Sequence, residues 1–378
     1  MDFELSEELR MLKENVRRFV DRELIPLEGK GKDPDEIKKN CQEKAKDLGL
    51  WLFDVPEEYG GLGLGMMARV IVWEEISRTT AVPSRGGNIF GPDVSPLLYL
   101  LEGEAKEKYF LPVLRGEKRA CFAQTEPDAG SDPGGMRTTA VRQGDHYVIN
   151  GSKRFITNAD KSDFAQVFAL TDPAKRSKGG ISAFLVDMNT PGLRLGRPQE
   201  LMIDDTPWEL FFDDVKVPVA NRVGEEGEGF KFAQSWINAG RIRHGARGIG
   251  VMDRCLELAT SYAKQRHTFG KPLADRQSVQ WSLVDSFTEL HQLRLMVYHA
   301  AWKFDRGEDC RDEAYMAKFF GDEKSFKAAD RCLQIHGGMG LSKELPIEYF
   351  FREQRSMMIT EGANEVLKMA LARSILAK

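Results

Sequence analysis

Between about residues 118 and 230 the chain runs in short segments rich in β-branched and aromatic side chains: His146-Tyr147-Val148-Ile149-Asn150, Phe164-Ala165-Gln166-Val167-Phe168-Ala169-Leu170, the stretch Ile181 to Met188, and Glu209-Leu210-Phe211-Phe212-Asp213-Asp214-Val215-Lys216-Val217. Side chains of this kind suit a pleated, half-buried surface, so the segments predict strands and a β domain in mid-chain. On either side the period changes. Before residue 117, Leu9, Leu12, Val16, Phe19 and Val20 recur at helical spacing, broken by Pro26, Pro56 and the glycine-rich run from Gly60 to Gly65. After Gly229, Ile249, Met252, Leu256 and Ala259 keep to one helix face, and Leu283, Phe287, Leu290, Leu293 and Val297 repeat the pattern. The polar run Asp305 to Glu313 predicts the turn between two long helices. The expected class is α+β, with a helical domain over 1–117, a β domain over 118–230 and a helical domain over 231–378. Asn150-Gly151 predicts a two-residue hairpin turn, since both residues tolerate positive φ.

Composition bounds the function. The 378 residues ask for two or three domains, and 42% hydrophobic with 30% charged residues describes a globular chain with a sizeable core. With 54 Lys plus Arg against 58 Asp plus Glu, no positive field exists to recruit nucleic acid. No stretch reaches the ~20 apolar residues of a membrane span, and the acidic N-terminal pattern lacks the basic start of a secretory signal. Five widely spaced cysteines form neither a disulfide framework nor a CxxC motif, so a reducing compartment is expected, and the lack of a presequence pattern favours the cytoplasm over a mitochondrial matrix as the expectation.

Phosphate-loop, nucleophile-elbow, zinc-protease and dinucleotide fingerprints are absent, and the six histidines show no metal-ligand pairing. Four segments carry candidate chemistry. Thr125-Glu126-Pro127-Asp128-Ala129-Gly130-Ser131-Asp132 can offer hydroxyls and backbone donors to a polar cofactor, or serve as a surface turn. Asn150 to Asn158 places Phe155 and Thr157 on one strand face, an aromatic plane beside a hydroxyl, or simply a core strand. Gln265-Arg266-His267-Thr268-Phe269-Gly270 closes a helix with cations, of which Arg266 could fork onto a diphosphate. Gln334-Ile335-His336-Gly337-Gly338 is followed by Thr360-Glu361-Gly362, where Glu361 could be a helix N-terminal charge or a catalytic base.

Together and in this order, with Pro56-Glu57-Glu58-Tyr59-Gly60-Gly61, the stretch Phe212 to Pro218 and Gly240-Arg241, these segments resemble the flavin-dependent acyl-CoA dehydrogenases over the whole chain. The resemblance implies an N-terminal helical domain, a central β-barrel-like domain and a C-terminal four-helix bundle, with FAD in a cleft beside the β domain. It implies that Phe122, Thr125 and Ser131 belong to the flavin loop, that Phe155 stands where a Trp usually meets the isoalloxazine, and that Thr157 approaches flavin N5. Arg266, Phe269, Gln334 and Gly338 match positions that reach the FAD of a neighbouring subunit, which implies a homotetramer. Ser131, Arg241, Thr360 and Gly362 match the substrate end of the site.

Glu361 matches the catalytic base. Some members carry that base at the position filled here by Gly240. The implied reaction is α,β-dehydrogenation of an acyl-CoA to a trans-2-enoyl-CoA, with Glu361 taking the α-proton, a hydride passing to the flavin, and an electron-transferring flavoprotein as electron acceptor. Burial under substrate is expected to raise the carboxyl pKa toward neutrality. Thr360 in place of Tyr, Phe155 in place of Trp, and Phe122 argue against straight-chain fatty acyl substrates. An oxidase, an enoyl-CoA reductase or a non-catalytic flavoprotein of the same fold are the alternatives.

Overall fold

The computed structural model describes residues 4–31, 33–82, 89–92 and 94–377; Met1 to Phe3, which begin the N-terminal helical pattern, lie outside them. The chain packs as two compact units, Met1–Phe90 with Asn238–Lys378, and Gly91–Ile237.

The first unit is helical. Helix Glu7–Phe19 starts where the Ser6 hydroxyl accepts from the Leu9 N–H, carries Glu7 and Glu8 at its positive end, and buries Leu12, Val16 and Phe19. That stripe packs with Ile71 and Val72 of helix Met66–Ile76. The same helix turns Met66 and Val70 to a second core, made by helices Gly229–Gln265, Gln277–Asp305 and Arg311–His336 through Ile242, Ile249, Met252, Leu290, Leu293, Val297 and Ala317. The Asp305 carboxylate accepts from the first two N–H groups of Met66–Ile76, at 2.5 and 2.9 Å, so one helix end caps another. The predicted turn lies between Asp305 and Arg311. Phe287 departs from its expected place: it is 63% exposed, in line with Trp281 and Val284 on the outer face of Gln277–Asp305. Helices Pro34–Asp47, Ile347–Met357 and Asn364–Leu376 belong to the same unit. Among the described residues no helix is long and apolar enough to cross a membrane. All five cysteines are free and buried.

The second unit is built on an eight-stranded, mostly antiparallel sheet. Its strands are β1 (Ala120–Ala123), β2 (Thr139–Gln143), β3 (His146–Ile156), β4 (Phe164–Leu170), β5 (Ile181–Asp187), β6 (Leu193–Pro198), β7 (Trp208–Pro218) and β8 (Arg222–Val223). The order is β6-β7-β3-β2-β4-β5-β8, with β1 added in parallel to β4. One face buries Cys121, Ala123, Ala165, Val167, Phe184, Leu210 and Val215.

The hairpin expected at Asn150-Gly151 is not there. β3 runs straight through both residues, and the turn falls at Gly144-Asp145, because Gln143 pairs with His146. Gly151 answers a different demand: a Cβ on it would lie 2.5 Å from the Thr138 hydroxyl, and β3 bulges against β7 beside it. Asn150 bonds Asp214 through both its amide oxygen and its nitrogen. A second bulge, between Lys153 and Ile156, also undoes the expected alternation of Phe155 and Thr157.

Candidate active site

Glu361 occupies the turn between helices Ile347–Met357 and Asn364–Leu376. Its φ is +54°, a left-handed conformation that costs a non-glycine residue energy and persists only where the surroundings enforce it. Lys318, fully buried on helix Arg311–His336, supplies that enforcement. Its ammonium donates to the carbonyls of Met357 and Gly362, both at 3.0 Å, and to Asn364 Oδ1 at 2.9 Å, and it pairs with Asp322 at 2.8 Å. One cation thus ties both ends of the turn together.

The carboxylate itself faces helix Gly229–Gln265. Arg243 Nη2 donates to Oε1 at 2.7 Å, and His244 Nε2 lies 3.6 Å from the same oxygen. His244 is held from behind by Asp322 at 3.3 Å. Oε2 accepts no hydrogen bond. Burial pushes the Glu361 carboxyl up, but the Arg243 guanidinium and the His244 imidazole outweigh it and hold it well below the usual range. The rise toward neutrality expected under substrate is therefore not the resting condition of this carboxylate. Gly240 leaves the space in which it sits. A Cβ at that position would lie 2.0 Å from Oε2, so a side chain at 240 would force the carboxylate out of the place it holds.

Arg241 donates to the Glu361 carbonyl at 3.3 Å and to Asn238 Oδ1 at 2.8 Å, and stacks on Tyr315. Gly362 adjoins it, with the Arg241 guanidinium 3.4 Å from where a Cβ would stand. Thr360 is half-buried, its hydroxyl turned to the Met357 sulfur. Glu361, Arg241, Thr360 and Gly362 therefore come together. The sequence reading missed Arg243, His244, Asp322 and Lys318. Positions 240, 243 and 244 stand at i, i+3 and i+4, so one helix face was the available signal.

Arg266, Phe269, Gln334 and Gly338 stand elsewhere in this unit. Arg266 follows the last residue of Gly229–Gln265 and is exposed. Phe269 tips the small hairpin of β9 (His267–Thr268) and β10 (Lys271–Pro272), with φ +50° and 97% of its surface exposed. Gln334 and Gly338 are exposed around the end of Arg311–His336.

In the second unit, Thr125 and Ser131 lie on the loop after β1, which Glu126 fastens. Its Oε1 accepts from Lys153 Nζ at 2.8 Å and Thr138 N at 3.0 Å, its Oε2 from Arg137 N at 2.6 Å. Phe122 points away from the sheet's core and meets Phe168 and, edge-on, Trp236. Phe155 is half-exposed with φ +57°, its N–H donating to Gln199 Oε1. The Thr157 hydroxyl lies 3.4 Å from Asp205.

Residues 6–117, 121–215 and 227–376 match, in turn, the N-terminal, middle and C-terminal domains of acyl-CoA dehydrogenase. The chain belongs to the acyl-CoA dehydrogenase family. This enzyme is accordingly an oxidoreductase acting on acyl-CoA, in a family whose members depend on FAD. It is 39% identical to (R)-benzylsuccinyl-CoA dehydrogenase of Thauera aromatica, over all of this chain and 97% of that one. It is 37% identical to CarC, a subunit of the caffeyl-CoA reductase-Etf complex of Acetobacterium woodii, over 99% of each. Its structure superposes on butyryl-CoA dehydrogenase from Megasphaera elsdenii with a TM-score of 0.89, at 33% identity and full coverage of both chains.

The enzyme's own side chains fit that cofactor. On the sheet face opposite the core, Phe122 and Phe168 stand with Gln124 and Gln166, whose amide oxygens are buried without hydrogen-bond partners. A flat, polar-edged heteroaromatic suits such a surface of aromatic planes and unmet amides.

Proposed function

We propose that the enzyme is an acyl-CoA dehydrogenase in which Glu361 removes the α-proton of an acyl-CoA thioester as a trans-2-enoyl-CoA forms. The observation that carries this reading is the Glu361 carboxylate: one oxygen is tied to Arg243, the other has no hydrogen-bond partner, and Gly240 leaves the space it fills. Lys318 and Asp322 hold the turn and the imidazole, so the base is positioned before substrate arrives. Its N–H is the donor offered to the thioester oxygen as negative charge develops there.

FAD, when bound, supplies the acceptor for the β-hydride. Phe122, Thr125, Ser131, Phe155 and Thr157 would hold it, with Ser131 also reaching substrate. Arg266, Phe269, Gln334 and Gly338 would serve the FAD of a neighbouring subunit. The exposure of Phe269 on a left-handed backbone supports that assignment, since Arg276, 5.9 Å from its ring centroid, leaves nearly all of the ring uncovered in the single chain. The outward stripe of Trp281, Val284 and Phe287 supports self-association, and we take the assembly to be a homotetramer. The Etf complex of CarC supports an electron-transferring flavoprotein as the electron acceptor.

The test is anaerobic stopped-flow reduction of the holoenzyme with a panel of acyl-CoAs, run beside exchange of the α-hydrogen into deuterated water. The wild type should show both reduction and exchange. Glu361→Gln should bind the same acyl-CoA with both slowed by at least about 10², and normal exchange by that variant would sink the assignment of the base.

A further inference from the structure

A carboxylate that must accept a carbon-bound proton is weakened as a base by every cation bonded to it. Arg243 donates to Glu361 Oε1 at 2.7 Å, and its guanidinium also lies over the Trp73 ring at 5.8 Å. The base is therefore engaged by a strong, charge-assisted bond in the free protein. A thioester carbonyl is too poor an acceptor to draw a guanidinium from a carboxylate; a second carboxylate exchanges with it at comparable strength. The phosphates of CoA cannot take that part, because with the α-carbon at Glu361 they stand a whole pantetheine arm away. The surrounding charges point the same way. Lys318 is already paired with Asp322, whereas Arg241 bonds neutral groups only, Asn238 and the Glu361 carbonyl, and stacks on Tyr315. Both side chains remain reachable, Arg243 at 19% and Glu361 at 25% exposed.

We propose that the acyl group of the substrate carries a carboxylate of its own, which takes Arg243 from Glu361 and so frees the base. This rests on the reading of Glu361 as the α-proton acceptor. With the α-carbon about 3 to 3.5 Å from the carboxylate, Arg243 lies within reach of an anion attached no more than about three carbons from the α-carbon. Monothioesters of short dicarboxylic acids, branched or substituted, have that shape. Arg243 is thereby a specificity-determining residue, and a substrate lacking the anion leaves the base clamped.

The experiment uses the holoenzyme with succinyl-CoA and glutaryl-CoA against butyryl-CoA, valeryl-CoA and the methyl ester of glutaryl-CoA. Dissociation constants come from calorimetry, α-hydrogen exchange from mass spectrometry in deuterated water. The carboxylated thioesters should bind about 10- to 100-fold more tightly than the neutral ones, as expected for a hydrogen bond between charged groups, and should exchange faster. Arg243→Gln should erase the preference and speed exchange of the neutral thioesters, while Arg243→Lys retains part of it; flavin content and melting temperature verify that each variant is folded. Equal binding and exchange of neutral and carboxylated thioesters by the wild type would overturn the proposal, as would an equal loss on both classes in Arg243→Gln. Glu361→Gln separates the two readings: it should keep the binding preference and lose exchange, and exchange that persists there with the preference intact would overturn the base assignment and leave the substrate class standing.

Discussion

Two carboxylates, one in each compact unit, are bonded to a cation at nearly the same distance, yet they are built for different ends. Glu126 receives Lys153 at 2.8 Å, and a main-chain N–H group donates to each of its two oxygens. Glu361 receives Arg243 at 2.7 Å and keeps Oε2 without a hydrogen-bond partner. Burial pushes both carboxyls up and their partners bring both below the ordinary value. An ion pair and a shifted pKa therefore do not tell a fastening from a base. The difference lies in the second oxygen, which is hydrogen-bonded at 126 and open at 361.

The largest effect should come from Glu361→Gln, which keeps size and hydrogen bonding but cannot accept a proton at neutral pH. Flavin reduction should fall by about 10² to 10⁴, the usual loss on removing a general base, with acyl-CoA binding retained. Glu126→Gln should do the opposite. It leaves the Lys153 ammonium, whose pKa burial already brings down to about 8 against the pull of Glu126, without its counter-charge. Breaking a buried pair on one side costs about 3 to 5 kcal/mol, read as a fall in melting temperature, while the folded fraction should reduce its flavin within a few fold of wild type. Comparable rate losses in the two variants would remove the distinction drawn between the two carboxylates.

Gly240→Ala tests the space around the base. With the new Cβ 2.0 Å from Oε2, the carboxylate must swing aside. A displacement of about 1 Å in a reacting group is worth roughly 10²-fold in rate. Reduction should drop by that order without loss of FAD, checked by absorbance of the purified protein, and an unchanged rate would show that the carboxylate reacts from another position.

How much of this was legible beforehand depends on the range of the contacts. The helical and β textures were readable because side-chain periods of 3.6 and 2 are local. Glu361 was readable as a carboxylate ahead of a glycine at a helix break. Its companions were not, because Arg243 and His244 become neighbours only when the 357–364 turn is laid on helix Gly229–Gln265, more than a hundred residues away. Asn150-Gly151 failed for the same reason. The pair is an ordinary turn signal, but Thr138 and Asp214, distant in sequence, make it a bulged point of a continuous strand. Phe287 kept the right period and sat on the wrong side, since the spacing of a stripe does not say which of two apolar faces looks inward.

A third carboxylate sharpens the comparison with the smallest effect. Glu75, on helix Met66–Ile76, is fully buried, and neither of its oxygens accepts a hydrogen bond. Lys13, Arg17 and Arg78 stay 3.6 to 3.9 Å away, while neighbouring Glu74 takes Lys13 at 2.7 Å, Arg294 at 3.0 Å and Tyr298 at 2.9 Å. Burial, and then the charge of Glu74, push the Glu75 carboxyl up to about 7, beyond what the more distant cations can offset. Between its ordinary value of 4.5 and about 7 the native state holds a proton that the unfolded chain has released. This group's favourable contribution is therefore complete below the unfolded value and is lost as pH rises through that window. Glu75→Gln replaces the carboxyl by a group of the same shape that does not titrate. Its melting temperature relative to wild type should accordingly climb from pH 5 to pH 8, by an amount corresponding to about 1 to 3 kcal/mol. Flavin reduction should not follow, since Glu75 is placed in neither the base nor the cofactor surface. A melting difference that stays flat across those pH values would mean that the cations satisfy Glu75 after all, and that unmet lone pairs alone do not mark a carboxylate held near neutrality.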